Sequence, residues 1–317
     1  MSATWKKRVG SIIGLILLCA AAIALYRQLR EHSVSDILAH LGAIPVGHFL
    51  LAMLFTVLSF TALTCYDTLA LRYLRHPLPY RKIAMASFVS YAFAHSMGFS
   101  IVSGSSVRYR LYSAWGLTTA QIAKVVLFNT VTAVVGLLAL GGIALVAFPI
   151  RIPHLQFLHS GSRMLGLLEI LGVLVYLLMS AMHRGKFRIG KREFAPPTID
   201  ISFLQIVICC ADLCFAASVL YFLMPVTLDV PYIVFVAMYV LAYVVGQMSQ
   251  VPGGLGVFDT GMILLLTNIA DPAAVLGSLL AFRVLYYVVP LFIAVGWLGV
   301  HEVFAHHSND LGDNAGS

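Results

Sequence analysis

Apolar residues fill the chain in long blocks, and the polar stretches between them hold most of the charge. A helix rises 1.5 Å per residue, so about 20 consecutive apolar residues cross the hydrocarbon core of a bilayer. By that measure spans are predicted near 9–26, 47–71, 83–102, 121–149, 164–182, 201–224, 232–250 and 273–300. Two shorter pieces, 104–119 and 254–270, each follow a glycine-containing break and lead into a long helix. The breaks are V-S-G-S-S at Val102–Ser106 and V-P-G-G-L-G-V-F-D at Val251–Asp259. Such pieces are half-helices or re-entrant segments, because irregular backbone survives at membrane depth only where protein or water satisfies it. The expected fold is an all-α polytopic membrane protein, with about eight long transmembrane helices and two short broken or re-entrant segments. Residues 1–300 form a single integral membrane domain, and 301–317 a polar tail.

Composition agrees with this pattern. The 317 residues are 60% hydrophobic and only 10% charged, whereas a water-soluble domain carries about a quarter charged residues. The net charge of +7 follows from basic loops and calls for no nucleic-acid partner. All five cysteines lie inside apolar runs, so no disulfide framework is indicated. Lys6-Lys7-Arg8 precede the first apolar run, and Leu18 stands where a lipobox needs a small residue before Cys19. An uncleaved first helix with a cytoplasmic amino terminus is therefore expected.

The loop charges constrain the path. Four Lys/Arg run from Arg72 to Lys82 and five from Arg184 to Arg192. Both loops can be cytoplasmic only if 83–120 crosses an even number of times, which calls for a broken hairpin there. The same device at 232–270 makes 47–182 and 201–300 a candidate inverted repeat. The plainer alternative is that both glycine breaks are ordinary turns between tilted helices.

Few residues in these runs carry charge. Arg108 and Arg110 follow the first break, with Tyr112 beside them. Arginine at this depth must pair, snorkel or face water. Guanidinium groups also bind phosphate in bidentate fashion, and the positive end of a helix starting after Gly104 would add to that attraction. Arg283 lies inside the last run with Tyr286 one turn on and Pro290 placed to kink the helix. Asp67, Asp212 and Asp259 are candidate charge partners, Asp67 for Arg108, Arg110 or Arg283, and Asp259 for Arg283. Asp212, mid-span, is either a member of a structural ion pair or a coupling or proton site. Gly104, Gly253 and Gly254 let the backbone approach a headgroup closely. No nucleotide loop, serine elbow or zinc spacing occurs, so no catalytic residue, metal or cofactor is expected. His95, inside a span, is assigned a polar packing role.

The strings Arg108-Tyr109-Arg110-Leu111-Tyr112-Ser113 with Gly116-Leu117, and Pro252-Gly253-Gly254-Leu255-Gly256-Val257, carry a resemblance. With Cys65-Tyr66-Asp67 and Phe282-Arg283-Val284-Leu285-Tyr286-Tyr287 they resemble the transmembrane flippase region of lysylphosphatidylglycerol synthases. The free-standing YbhN-like inner-membrane members are the most similar. The resemblance implies a multi-pass protein of the bacterial inner membrane that moves a phospholipid, anionic or aminoacylated, between leaflets. In fused members a separate carboxyl-terminal domain transfers the amino acid from charged tRNA. This sequence reaches Ser317 without such a domain, so no enzyme activity is expected. Arg108, Arg110, Tyr112, Arg283 and Tyr286 would hold the lipid phosphate. A lipid-synthesis enzyme and a second copy of the chain are candidate partners. The rival expectations are a secondary transporter of a small solute and a non-transporting partner of a phospholipid synthase.

Overall fold

A computed structural model describes residues 44–97, 100–148, 156–182, 187–189, 192–194, 197–249, 251–267 and 269–299. The expected first span, 9–26, and the tail, 301–317, lie outside them. The described chain is helical apart from a short hairpin, β1 (Phe187–Ile189) with β2 (Arg192–Phe194), in the loop after the expected span 164–182.

Two long helices, α1 (Val46–Tyr73) and α6 (Ile199–Leu223), run antiparallel through the centre. Phe55 stacks on Phe222 at 5.5 Å, and Ser59 bonds Asp212 at 2.6 Å. Pro45 opens α1, and Pro77 and Pro79 follow its end, where no helix can continue through them. α4 (Thr119–Ala147) starts on a capping box in which the Thr118 and Gln121 side chains each take a backbone N–H of the other. α5 (Gln156–Met182) packs on α4, and its Tyr176 and Ser180 reach Gln205 and Ser202 of α6. Leu167, Leu168, Leu171, Leu174 and Leu178 of α5 remain exposed, an apolar face suited to acyl chains.

Two helical hairpins fill the space between. α2 (Tyr80–Met97) and α3 (Ser100–Ala114) form the first. Lys82 lies over the Trp115 ring at its base, and Ala94 faces Gly104 near its tip, so the arms are antiparallel. α7 (Tyr232–Met248), a 3-10 turn (Pro252–Gly254) and α8 (Val257–Leu266) form the second. Ala242 faces Gly261, and Gly246 faces Phe258. Gly253, Gly254 and Gly256 have φ of 59°, 61° and 75°, left-handed values that glycine adopts without a Cβ penalty.

The hairpins enter from opposite ends of the α1–α6 pair. The first starts beyond the carboxyl end of α1, where His76 meets Gln121 of α4. The second starts at the other end, where Tyr232 bonds Ser218 and packs on Tyr221 near the end of α6. Their tips meet: a Cβ built on Gly253 would lie 3.4 Å from the His95 carbonyl oxygen. The last helix begins at α9 (Pro272–Arg283), capped by Asp271, and passes beside this junction. It loosens into a π-helical turn over Val284–Val288, in which the Val289 N–H reaches back five residues to Val284. Pro290 follows immediately, and the wider turn accommodates its missing donor.

Three expectations are corrected. Among the described residues five helices are long and apolar enough to cross a membrane: 46–73, 119–147, 161–182, 199–223 and 272–299. The expected spans 83–102 and 232–250 correspond to helices of 18 and 17 residues, shorter than those five, and each is one arm of a hairpin of the kind the loop charges called for. The first also carries Arg81, Lys82, His95 and three serines, which lower its hydropathy. The short pieces lie at Ser100–Ala114 and Val257–Leu266 in place of 104–119 and 254–270. Gly104 is no break at all: it sits within α3, where a Cβ would come 3.2 Å from both Ala94 Cβ and the Ser90 carbonyl. Small residues at close helix contacts are ordinary membrane packing, and the first arm ends at Met97 and the second begins at Ser100.

Candidate functional site

Asp67, on the inward face of α1, is fully buried. The Arg108 guanidinium from α3 donates to it through Nε, 3.1 Å from each carboxylate oxygen, and through Nη2 at 3.0 Å. Tyr112, one turn on, donates its hydroxyl at 2.6 Å, and Asn129 of α4 donates its amide. Arg108 also lies over the Tyr91 ring at 4.5 Å, so one aromatic face and one carboxylate enclose its charge. Gly104 clears room for it, since a Cβ there would come 3.3 Å from Nη1. One carboxylate thus ties α1, α3 and α4 together.

The second pair stands at the tip of the other hairpin. Arg283 of α9 donates Nε to Asp259 at 3.2 Å, Nη2 to Asp259 at 2.5 Å and Nη1 to the Gly253 carbonyl at 3.2 Å. Asp259, in the first turn of α8, also accepts from the Gly256 N–H at 2.9 Å. A carboxylate in the first turn of a helix is favourably placed toward the helix dipole. Its side chain is 14% exposed, against none for Asp67. The two arginine side chains are equally covered, at 6%, so it is Asp259 that borders accessible space and Asp67 that does not.

Among the described residues Asp212 balances no arginine. Its Oδ1 accepts from the Ser59 hydroxyl at 2.6 Å, and that hydroxyl lies 2.6 Å from the Tyr286 hydroxyl. The candidate partners thus sort into Asp67 with Arg108, Asp259 with Arg283, and Asp212 with hydroxyls. Gly253 and Gly254 form the second tip. Arg110 is half-buried on α3. The positive helix end expected after Gly104 falls instead at Ser100, a full turn earlier. His95 has the packing role expected of it, stacked on Tyr286 at 5.7 Å and set against Phe60 and Tyr91.

Ser59, Tyr91, Asn129 and Tyr287 were not singled out from the sequence, yet each touches one of these charges or their hydroxyl partner. The available signal was an uncharged polar residue inside an apolar run, as in Leu127-Phe128-Asn129-Thr130. Such residues mark interhelical hydrogen bonds. Gln205, which bonds Thr132 at 2.7 Å and accepts from Tyr176 at 2.5 Å, is another.

Residues 11–294 match the family described as the lysylphosphatidylglycerol synthase TM region. The chain belongs to that family. It is 36% identical over 304 residues to the uncharacterized protein slr0712 of Synechocystis, covering 95% of this chain and 94% of that one. It is 29% identical to the inner membrane protein YbhN of Escherichia coli over 243 residues, 75% of each chain. With the phosphatidylglycerol lysyltransferase of Staphylococcus aureus it shares 26% identity over 299 residues, 92% of this chain but 34% of that protein. The family match is to a membrane region, and the Synechocystis relative is covered almost end to end. With the five apolar helices, this establishes a multi-pass membrane protein.

Proposed function

We propose that this protein passes a phospholipid between the leaflets of a bacterial inner membrane, with the headgroup travelling through the junction of the two hairpins. The observation that carries the proposal is the meeting of two hairpin tips, entered from opposite ends, with one member of an arginine–aspartate pair on each hairpin, Arg108 on the first and Asp259 on the second. On this reading both hairpins are re-entrant and the halves form an inverted repeat. The end bearing Arg72, Arg75, Arg81 and Lys82 is cytoplasmic, as is the amino terminus. The family relation to a lysyltransferase of phosphatidylglycerol supports a lipid cargo.

The pairs divide the work. Arg283 is the headgroup-recognising residue, because its pair is partly exposed and joined by the turn backbone of Gly253. A phosphate would compete with Asp259 for the guanidinium fork, so the headgroup binds transiently instead of falling into a deep anion well. Arg108 and Tyr112, held by the fully buried Asp67, anchor the first hairpin.

Leaflet exchange of a fluorescent phospholipid in proteoliposomes, read with a membrane-impermeant quencher, tests this. Arg283→Ala should slow exchange about tenfold or more, the consequence of losing one charge-assisted contact of about 1.5–3 kcal/mol. Retained elution volume and helicity exclude unfolding. The double variant Arg283→Ala with Asp259→Ala removes the unpaired carboxylate as well, and it should stay slow. Recovery in the double variant, or unchanged exchange in the single one, overturns the site. A wild-type protein that moves no lipid overturns the function.

A further inference from the structure

We propose that Asp212 is a proton-binding site whose occupancy sets the state of the hairpin junction. Three aspartates lie within the helical core. Two have a guanidinium in bidentate reach, and the third has hydroxyls alone. Asp212 is 9% exposed, near the middle of α6, and among the described residues no Lys or Arg lies within ion-pair distance. An ionised carboxylate at such depth costs several kcal/mol unless it is paired. A proton neutralises it where no cation is supplied.

The elements around it offer no substitute charge. α1 presents Ser59 and Tyr66, α2 presents Tyr91, α7 presents Tyr239 and Tyr243, and α9 presents Tyr286, with His95 of α2 stacked behind the Tyr286 ring. Cys209 and Cys214 flank it on α6. α4 has no titratable residue beyond Lys124, and α5 contributes Tyr176 through Gln205, two turns away. The described groups facing Asp212 are thus phenols, thiols and a serine.

The hydrogen bonds form a chain with a direction. A serine hydroxyl has one proton. When Asp212 is ionised, Ser59 donates to it and Tyr286 donates to Ser59. Protonated Asp212 becomes a donor, and the chain can run the other way, with Ser59 donating to the Tyr286 oxygen. The step is a carboxylate taking a proton from hydronium to give a carboxylic acid and water, and the reverse returns it. Tyr286 carries the change onward. It lies in the π-helical turn, stacks on His95 at the first hairpin's tip, and adjoins Tyr287. The Tyr287 carbonyl accepts from Ser96, and its ring lies beneath Arg283. A π turn has slack that an α turn lacks, so this is where a reversed hydrogen bond moves backbone. Proton binding stands by itself; its coupling to cargo rests on the lipid-translocation proposal.

Infrared difference spectroscopy of the full chain in lipid bilayers, stepped in pH, reads the carboxylic-acid carbonyl stretch directly. A band should appear on acidification, vanish in Asp212→Asn, and shift in frequency in Ser59→Ala, which removes one hydrogen bond while leaving the acid. No Asp212-dependent band, or one that does not change with pH, overturns the proton site. In proteoliposomes, an imposed gradient of one pH unit should change net lipid exchange by up to about tenfold per proton coupled, and Asp212→Asn should abolish that component. A titrating band with exchange indifferent to the gradient overturns the coupling. Absence of any wild-type exchange overturns the lipid proposal, and the infrared result then decides the proton site independently.

Discussion

Asp67→Asn isolates one buried charge with little change of shape. In the native protein Asp67 accepts from Arg108, Tyr112 and Asn129 and is fully buried. The substitution leaves the Arg108 charge without a counter-ion and turns an amide N–H₂ toward at least one of those donors. Removing one partner of a buried pair costs about 3–5 kcal/mol. For a domain of about 150–250 residues each kcal/mol moves the melting temperature by about 2–4 °C. An apparent Tm, measured at fixed scan rate in micelles because membrane proteins unfold irreversibly, should therefore fall by about 6–20 °C. Asp259→Asn should cost less, about 1.5–3 kcal/mol, since Arg283 keeps the Gly253 carbonyl and the Tyr287 face and the site is partly exposed. Adding Arg108→Gln to Asp67→Asn removes the stranded charge and should recover more than half of the loss, because a fully neutralised pair is nearly balanced. A shift below about 2 °C for Asp67→Asn, or a double variant no better than the single, refutes this account of the pair.

Two other outcomes test the packing itself. Gly253→Ala puts an L residue at φ 59° and a Cβ 3.4 Å from the His95 carbonyl oxygen, so it should destabilise by about 1–2 kcal/mol, read as a lowered apparent Tm. An unchanged Tm would contradict the left-handed turn at this tip. A Cβ added at Gly136 would come 2.2 Å from Cys209 Cβ. Gly136→Ala should thus destabilise by about 1–3 kcal/mol, read as a lowered apparent Tm, with recovery when Cys209→Gly vacates the space. A neutral Gly136→Ala would mean that α4 and α6 are not in this contact.

Much of the site was legible because charge is rare in this chain. In a sequence with 10% charged residues, the few that fall in apolar runs announce themselves, and Asp67, Arg108, Asp212, Asp259 and Arg283 all did. The pairing of Asp259 with Arg283 was named from sequence, and Asp67 with Arg108 was one of three options. The uncharged partners were missed, since a serine or asparagine in a helix has no signature until its neighbour is known. The first break was placed at Gly104 because glycine serves two purposes in membranes, opening a turn and letting helices touch. Here it does the second, and the composition of Val102–Ser106 is the same for both.

The sequence by itself determined that the chain crosses a membrane and where its charge lies, and its motifs pointed to the family. Those properties depend on composition, run length and local order, which are properties of a string. The backbone reversal at Gly253–Gly254 was legible for the same reason, as consecutive glycines after a proline specify a turn locally. Only the tertiary structure decided that α1 and α6 form the central pair, that the hairpin tips meet, and that Asp212 is left with hydroxyls while its fellows take the arginines. Ser59 and Asp212 are 153 residues apart, and Ser59 and Tyr286 are 227 apart. Which buried charge finds a partner is settled by how helices pack in three dimensions, and no local pattern encodes it.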